Sequence, residues 1–150
     1  MATPSALPAR TRARLDAAAR SAAARAYAPY SQFRVGAAVL AGSGRLYSGA
    51  NVENASYGLC QCAERTAITH AIAEGESSII AVAVYTPTPT PTLPCGACRQ
   101  VIREFGPAAT IRSTCRGKAA VETSLDALLP AAFGPEDLGR RPLARRVKRS

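Results

Sequence analysis

The chain has 150 residues, 47% of them hydrophobic but only 5% aromatic, with no tryptophan. That length suits one domain with one main core, built from Ala, Val, Ile and Leu. The formal charge of +9 divides into +4 over residues 1–25, +6 over residues 139–150 and −1 over the body between them, which argues against a domain-wide nucleic-acid face.

Residues 10–26 read as a helix with Leu15, Ala18, Ala19, Ala22 and Ala26 on one side, broken by Tyr27-Ala28-Pro29. The N-terminal stretch has no apolar segment of a secretory signal, and Asp16 and the lack of a Ser-rich run speak against a transit peptide. Phe33 to Leu40 suits a strand, and the Gly42-Ser43-Gly44 turn leads into a second, Leu46 to Val52, as a hairpin. After a polar loop, residues 62–74 turn helical, with Ala63, Ala67, Ile68, Ala71 and Ile72 apolar and Gly75 as the stop.

Ser78 to Tyr85 has the continuous apolar character of a buried strand. The alternating Thr-Pro run from Thr86 to Pro94 cannot form a helix or a central strand and is expected as an extended surface loop. Residues 95–105 read as a helix closed by Gly106-Pro107; strands follow near 110–114 and 119–123, then a short helix over 125–129. This order predicts an α/β fold, a three-layer α-β-α sandwich around a mixed five-stranded sheet. The domain is expected over residues 1–138, with 1–9 flexible and 139–150 a disordered basic tail. No apolar run approaches the ~20 residues that span a bilayer.

Five cysteines, Cys60, Cys62, Cys95, Cys98 and Cys115, would leave one unpaired in an oxidised framework. Free thiols in a reducing cytoplasm fit better. Cys95 and Cys98 lie three residues apart at the start of a helix, so their sulfurs can converge on one ion. Helix N-termini lower thiol pKa values, which favours thiolates there. Cys62, opening the other helix, supplies a third sulfur and leaves one tetrahedral position for water, the arrangement of a catalytic rather than a structural zinc site. Glu64 stands two residues further on, close to the ion but off the ligand direction, where a carboxylate can shuttle protons. A zinc ligand, a Glu that does not bind the metal and a downstream Pro-Cys-x-x-Cys form a known zinc-deaminase signature, here Cys62-Ala63-Glu64 and Pro94-Cys95-Gly96-Ala97-Cys98. Cys60 and Cys115 are expected to be small buried residues, and His70 a helix-surface or interface residue.

The motifs beyond the sulfurs resemble those of the cytidine deaminases, in particular the small homotetrameric class with three cysteine ligands. They are Tyr30-Ser31-Gln32-Phe33-Arg34-Val35-Gly36-Ala37-Ala38, Asn51-Val52-Glu53-Asn54-Ala55-Ser56-Tyr57, Cys62-Ala63-Glu64-Arg65, Pro94-Cys95-Gly96-Ala97-Cys98-Arg99-Gln100 and the run from Leu129 to Leu138. The resemblance implies one Zn²⁺ per subunit on Cys62, Cys95 and Cys98, with Glu64 as the catalytic proton carrier. It implies deamination of cytidine and deoxycytidine with release of ammonia, in pyrimidine salvage. It further implies ribose binding by Asn51 and Glu53, packing of Phe33 on the pyrimidine, and Ala55, Tyr57 and Phe133 near substrate across a subunit boundary. Arg65 is implied as a partner of the ligand sulfurs that offsets their charge, with Arg99 and Gln100 supporting the site from behind.

A zinc-stapled binding module without catalysis would leave Glu64 without a task. A related deaminase acting on a modified nucleoside would share the site, but Asn51 and Glu53 suit an ordinary ribose. A nucleic-acid-binding protein would use the basic ends, but the near-neutral body and few aromatics speak against base stacking. The expected partners are therefore a free nucleoside and copies of the same chain, with neither a specific nucleic acid nor a membrane. Cys60, Cys115, Arg116 and the Thr-Pro run have no place in the shared motifs.

Overall fold

A computed structural model describes residues 6–139. The elements run α1 (Ala9–Ala23), β1 (Gly36–Ala41), β2 (Leu46–Ala50), α2 (Ala63–Ala73), β3 (Ile79–Tyr85), α3 (Gly96–Phe105), β4 (Thr110–Thr114), β5 (Ala120–Ser124) and α4 (Leu125–Leu128). The expected tail over 139–150 and the start of the expected flexible segment over 1–9 lie largely outside the described residues.

The five strands form one sheet in the order β2-β1-β3-β4-β5. All pairs are antiparallel except β3 with β4, so the sheet is mixed, as predicted. A parallel pair requires a crossover, and α3 supplies it.

Strand alternation sorts the side chains into two cores. On one face Ala38, Ala81 and Ala83 meet Leu15, Ala19 and Ala23 of α1. On the other Ala37, Val39, Val82 and Ile111 pack with Ala67, Ile68 and Ala71 of α2 and Ile102 of α3. This is the predicted three-layer sandwich. The small residues matter because the layers approach closely: a Cβ built on Gly36 would lie 2.0 Å from the Ala19 carbonyl oxygen of α1. Arg112 of β4 also clasps Asp16 of α1, with Nε 2.8 Å from Oδ1 and Nη2 2.9 Å from Oδ2. A two-pronged, charge-assisted contact of this kind fixes orientation as well as adding energy.

Two strand predictions shorten. Phe33 to Leu40 was expected as a strand, but pairing starts at Gly36; Leu46 to Val52 pairs only to Ala50. The cause is Asn51. Its side-chain Oδ1 accepts from the Val35 N–H at 2.8 Å and its Nδ2 donates to the Phe33 carbonyl at 2.8 Å. The last backbone bond of this pair runs from the Asn51 N–H to the Val35 carbonyl at 3.2 Å, beyond which the side-chain amide takes over, so residues 33–35 lie outside the strand. Val52 then makes isolated bridges to Tyr27 and Gln61.

Candidate active site

The site forms where two helix N-termini meet beside the sheet. Cys62 caps α2 and Cys95 caps α3, both with extended backbone, and Cys98 lies in the first turn of α3. The three Sγ atoms lie within 4.8 Å of one another, and those of Cys62 and Cys95 are 3.9 Å apart. Tetrahedral ligation at a Zn–S length of about 2.3 Å places sulfurs about 3.8 Å apart. Three soft donors at that spacing fit zinc, and a soft thiolate set disfavours magnesium or calcium.

The electrostatics fit a cation as well. Cys62 is held down to about 5 by a hydrogen bond from the Cys98 thiol, by the Arg65 guanidinium and by Cys95. Cys98 is pushed strongly upward by its bond to Cys62, by burial and by the nearby Glu64 carboxylate. The sulfurs thus share their protons, which a metal ion would displace. Arg65 donates from Nη2 to the Cys60 carbonyl at 3.0 Å and approaches Cys62 Sγ at 3.7 Å. Its Nε is buried and has no partner among the described residues. Partly buried guanidinium charge beside thiolates offsets the net negative charge that three of them leave on a divalent ion. Glu64 is only 4% exposed, and burial, reinforced by the neighbouring Cys62 sulfur, raises its pKa.

A cavity of about 300 Å³ opens over this cluster, lined by Phe33, Asn51, Glu53, Cys62, Glu64 and Cys95 among others. That is a small-molecule volume. Phe33 is 39% exposed at its wall, an apolar ring available to a flat ligand. Asn51 keeps part of its donor and acceptor capacity free after its two backbone bonds. Glu53 is held rigidly: Oε2 accepts from the Tyr30 N–H at 2.9 Å and the Ser31 N–H at 3.2 Å, while Oε1 accepts from the Ser31 hydroxyl. Those bonds, the Ser31 hydroxyl first, lower its pKa, so it meets a ligand as a carboxylate acceptor.

The remaining predicted residues stand further out. Ala55 and Tyr57 do not line this cavity; Tyr57 borders an adjoining hollow with Tyr30, Ser31, Glu53 and Cys60 and is 73% exposed. Phe133 is 59% exposed and also outside the cavity. Among the described residues, Arg99 reaches no sulfur. It donates instead from Nε to the Pro94 carbonyl at 2.7 Å and from Nη1 to the Leu128 carbonyl at 2.9 Å, fixing the approach to Cys95. Gln100 donates to the Phe133 carbonyl at 3.0 Å.

Other positions depart from expectation. Cys60 is partly exposed and lines the cavity rather than being buried; Cys115 is buried as expected. His70 is on the helix surface, with Nδ1 3.2 Å from the Ser48 carbonyl oxygen. The Thr-Pro run is extended but not wholly superficial, since Thr86 is 1% exposed and Thr86, Thr92 and Leu93 line the cavity. Sequence reasoning missed these wall residues; Thr92 and Leu93 had only their nearness to Cys95 as a signal, and Thr86 had none.

Fold and site together define an α/β protein with a three-thiolate metal centre and a buried carboxylate beside it. The family model described as "Cytidine and deoxycytidylate deaminase zinc-binding region" matches residues 10–114. A cytidine deaminase of Halalkalibacterium halodurans is 48% identical over 115 residues, 75% of this chain and 86% of the relative. One of Sporosarcina psychrophila is 46% identical over 127 residues, 83% of this chain and 93% of the relative. The crystal structure of cytidine deaminase from Burkholderia pseudomallei superposes with a TM-score of 0.78 at 46% identity, covering 85% of this chain and all of the other. The chain belongs to the cytidine and deoxycytidylate deaminase family.

Proposed function

We propose that this chain is a zinc-dependent hydrolase converting cytidine and deoxycytidine to uridine and deoxyuridine with release of ammonia. The observation that carries the reading is the meeting of three sulfurs and the buried Glu64 at one wall of a nucleoside-sized cavity. Family membership supports the same chemistry.

Cys62, Cys95 and Cys98 would hold the ion. Bound there, zinc supplies Lewis acidity that lowers the pKa of a water at its open position. Glu64 takes a proton from the attacking water and delivers it to N3 of the pyrimidine. It then takes the remaining proton of the hydroxyl now bonded to C4 and passes it to the C4 amine, which leaves as ammonia as the C4 carbonyl forms. Burial serves this role: a carboxylate with a raised pKa holds a proton more readily between the two transfers. Asn51 and Glu53 bind the sugar hydroxyls, and Phe33 packs on the base. Arg65 steadies the sulfurs, while Arg99 and Gln100 act at one remove through the 94 and 133 carbonyls.

The reading extends to a homotetramer in which Ala55, Tyr57 and Phe133 approach a neighbour's substrate. Its support is exposed apolar surface: Tyr30 is 50% exposed, Leu59 66% and Phe133 59%. Residues 1–138 act as one domain with an accessory basic tail. Five free thiols suit a reducing cytoplasm, where the reaction would serve pyrimidine salvage. Among the described residues no helix is long and apolar enough to cross a membrane.

Glu64→Gln is the test. Zinc should remain bound while kcat for cytidine falls by about 10²- to 10⁴-fold, the usual share of general acid–base catalysis. Undiminished uridine formation by the zinc-loaded variant would overturn the assignment.

A further inference from the structure

Three features with no role in the catalytic motifs, the Thr-Pro run, Cys115 and Arg116, meet in space. Pro87, Pro89 and Pro91 have no N–H, so the run has little means of bracing itself through its own backbone. Its carbonyls are the available handles. Three consecutive ones are taken by two residues just beyond β4. Arg116 Nη2 donates to the Pro87 carbonyl at 2.7 Å and the Arg116 N–H to the Thr88 carbonyl at 3.1 Å, while the one hydrogen of the Cys115 thiol is shared between the Pro89 carbonyl at 3.4 Å and the Ala119 carbonyl at 3.5 Å. Upstream, the Thr86 N–H donates to the Thr114 carbonyl at 3.2 Å, prolonging the β3–β4 ladder.

The hydroxyls complete the brace from within. Thr88 Oγ1 donates to the Thr90 carbonyl at 2.7 Å. A carbonyl only accepts, so the hydrogen of Thr88 is committed there. The hydrogen between Thr88 and Thr86, whose Oγ1 atoms are 2.6 Å apart, therefore comes from Thr86. Thr92 Oγ1 lies 3.4 Å from Thr86 Oγ1, whose one hydrogen is then shared between Thr88 and Thr92. Thr86, Thr92 and Leu93 line the cavity alongside Cys95.

We infer that Arg116, with Cys115 behind it, is a positioning residue that holds the Thr86–Leu93 wall in register with the metal centre and so sets affinity for the substrate's base. This rests on the nucleoside-pocket reading above. Arg116 touches no ligand; it acts through the wall. Its side chain is exposed, so removing it spares the core.

The test compares wild-type, Arg116→Ala and Arg116→Lys enzymes, and Arg116→Ala combined with Cys115→Ala. Arg116→Ala should raise KM for cytidine about three- to tenfold, the loss of roughly one hydrogen bond. Its kcat, zinc content and melting temperature should stay close to wild type. Arg116→Lys, which can still donate to Pro87, should recover much of the affinity, and the double variant should lose more. Hydrogen exchange of the Thr86 and Arg116 amides, which bond the Thr114 and Thr88 carbonyls, should quicken in Arg116→Ala while those of α2 stay protected. An unchanged KM with unchanged exchange would overturn the inference. So would a fall in kcat accompanied by loss of zinc. If the wild-type protein turns over no cytidine, the proposed function fails; the exchange measurement still decides whether the brace exists.

Discussion

Gly49 offers a sharp test of how closely the sheet and the metal centre are joined. It lies on β2 beneath α2, and a Cβ added there would sit 2.4 Å from the Ala67 nitrogen, 2.8 Å from the Thr66 carbonyl carbon and 2.9 Å from the Ala63 oxygen. All three are helix backbone, which cannot swing aside as a side chain can. Ordinary contact begins near 3.4 Å, so Gly49→Ala obliges α2 to retreat by about 1 Å or β2 to yield in a close-packed interior. Overpacking of this kind costs about 1–3 kcal/mol, or about 3–10 °C in melting temperature for a chain of this size.

The cost should not stop at stability. Cys62 caps α2, and Glu64 and Arg65 occupy its first turn. Moving the helix by about 1 Å shifts one sulfur and the proton carrier against Cys95 and Cys98, and misplacement on that scale can cost about 10²-fold in rate. Thermal melting, zinc per chain and cytidine turnover read the three consequences. Gly44→Ala is the control: Gly44 has φ +87° with nothing within 4 Å of the added Cβ. It should lower the melting temperature through backbone strain while leaving zinc and turnover intact. A Gly49→Ala protein that binds zinc and turns over cytidine at the wild-type rate would refute the claimed coupling.

Two further outcomes are expected. Chelation should abolish turnover and lower the melting temperature, because an ion bound only by the folded state stabilises it by mass action; restored zinc should recover both, and a melting curve indifferent to chelator would count against the three-sulfur site. Glu76 should make stability pH-dependent. Its pKa is lowered by hydrogen bonds from Ser43 at 2.6 Å and Tyr47 at 2.8 Å. A carboxylate depressed in the folded state contributes stability above its unfolded pKa, about 4.3, and loses it as pH falls through the folded value. Glu76→Gln should therefore melt earlier than wild type at neutral pH, with the gap closing in acid; a gap constant with pH would exclude this linkage.

Local order along the chain was enough for several conclusions. Hydrophobic period separated helices from strands, and most observed boundaries fall within a residue or two of those expected, because an element that buries one face must repeat its apolar residues at its own pitch. The Cys95–Cys98 pair needed only the geometry of a single helical turn. The three-layer arrangement followed from element order. Tertiary structure alone decided the rest, because those contacts join residues distant in sequence. Cys62 and Cys95 come within 3.9 Å across 33 positions because the sheet brings the starts of α2 and α3 together. Asn51 carries no mark in the sequence that its amide would bond the backbone of Phe33 and Val35 where the strand ends. Nor could the Thr-Pro run be read as a pocket wall, since its hydrogen-bond donors lie beyond β4 and its own composition reports only the absence of a helix or a central strand.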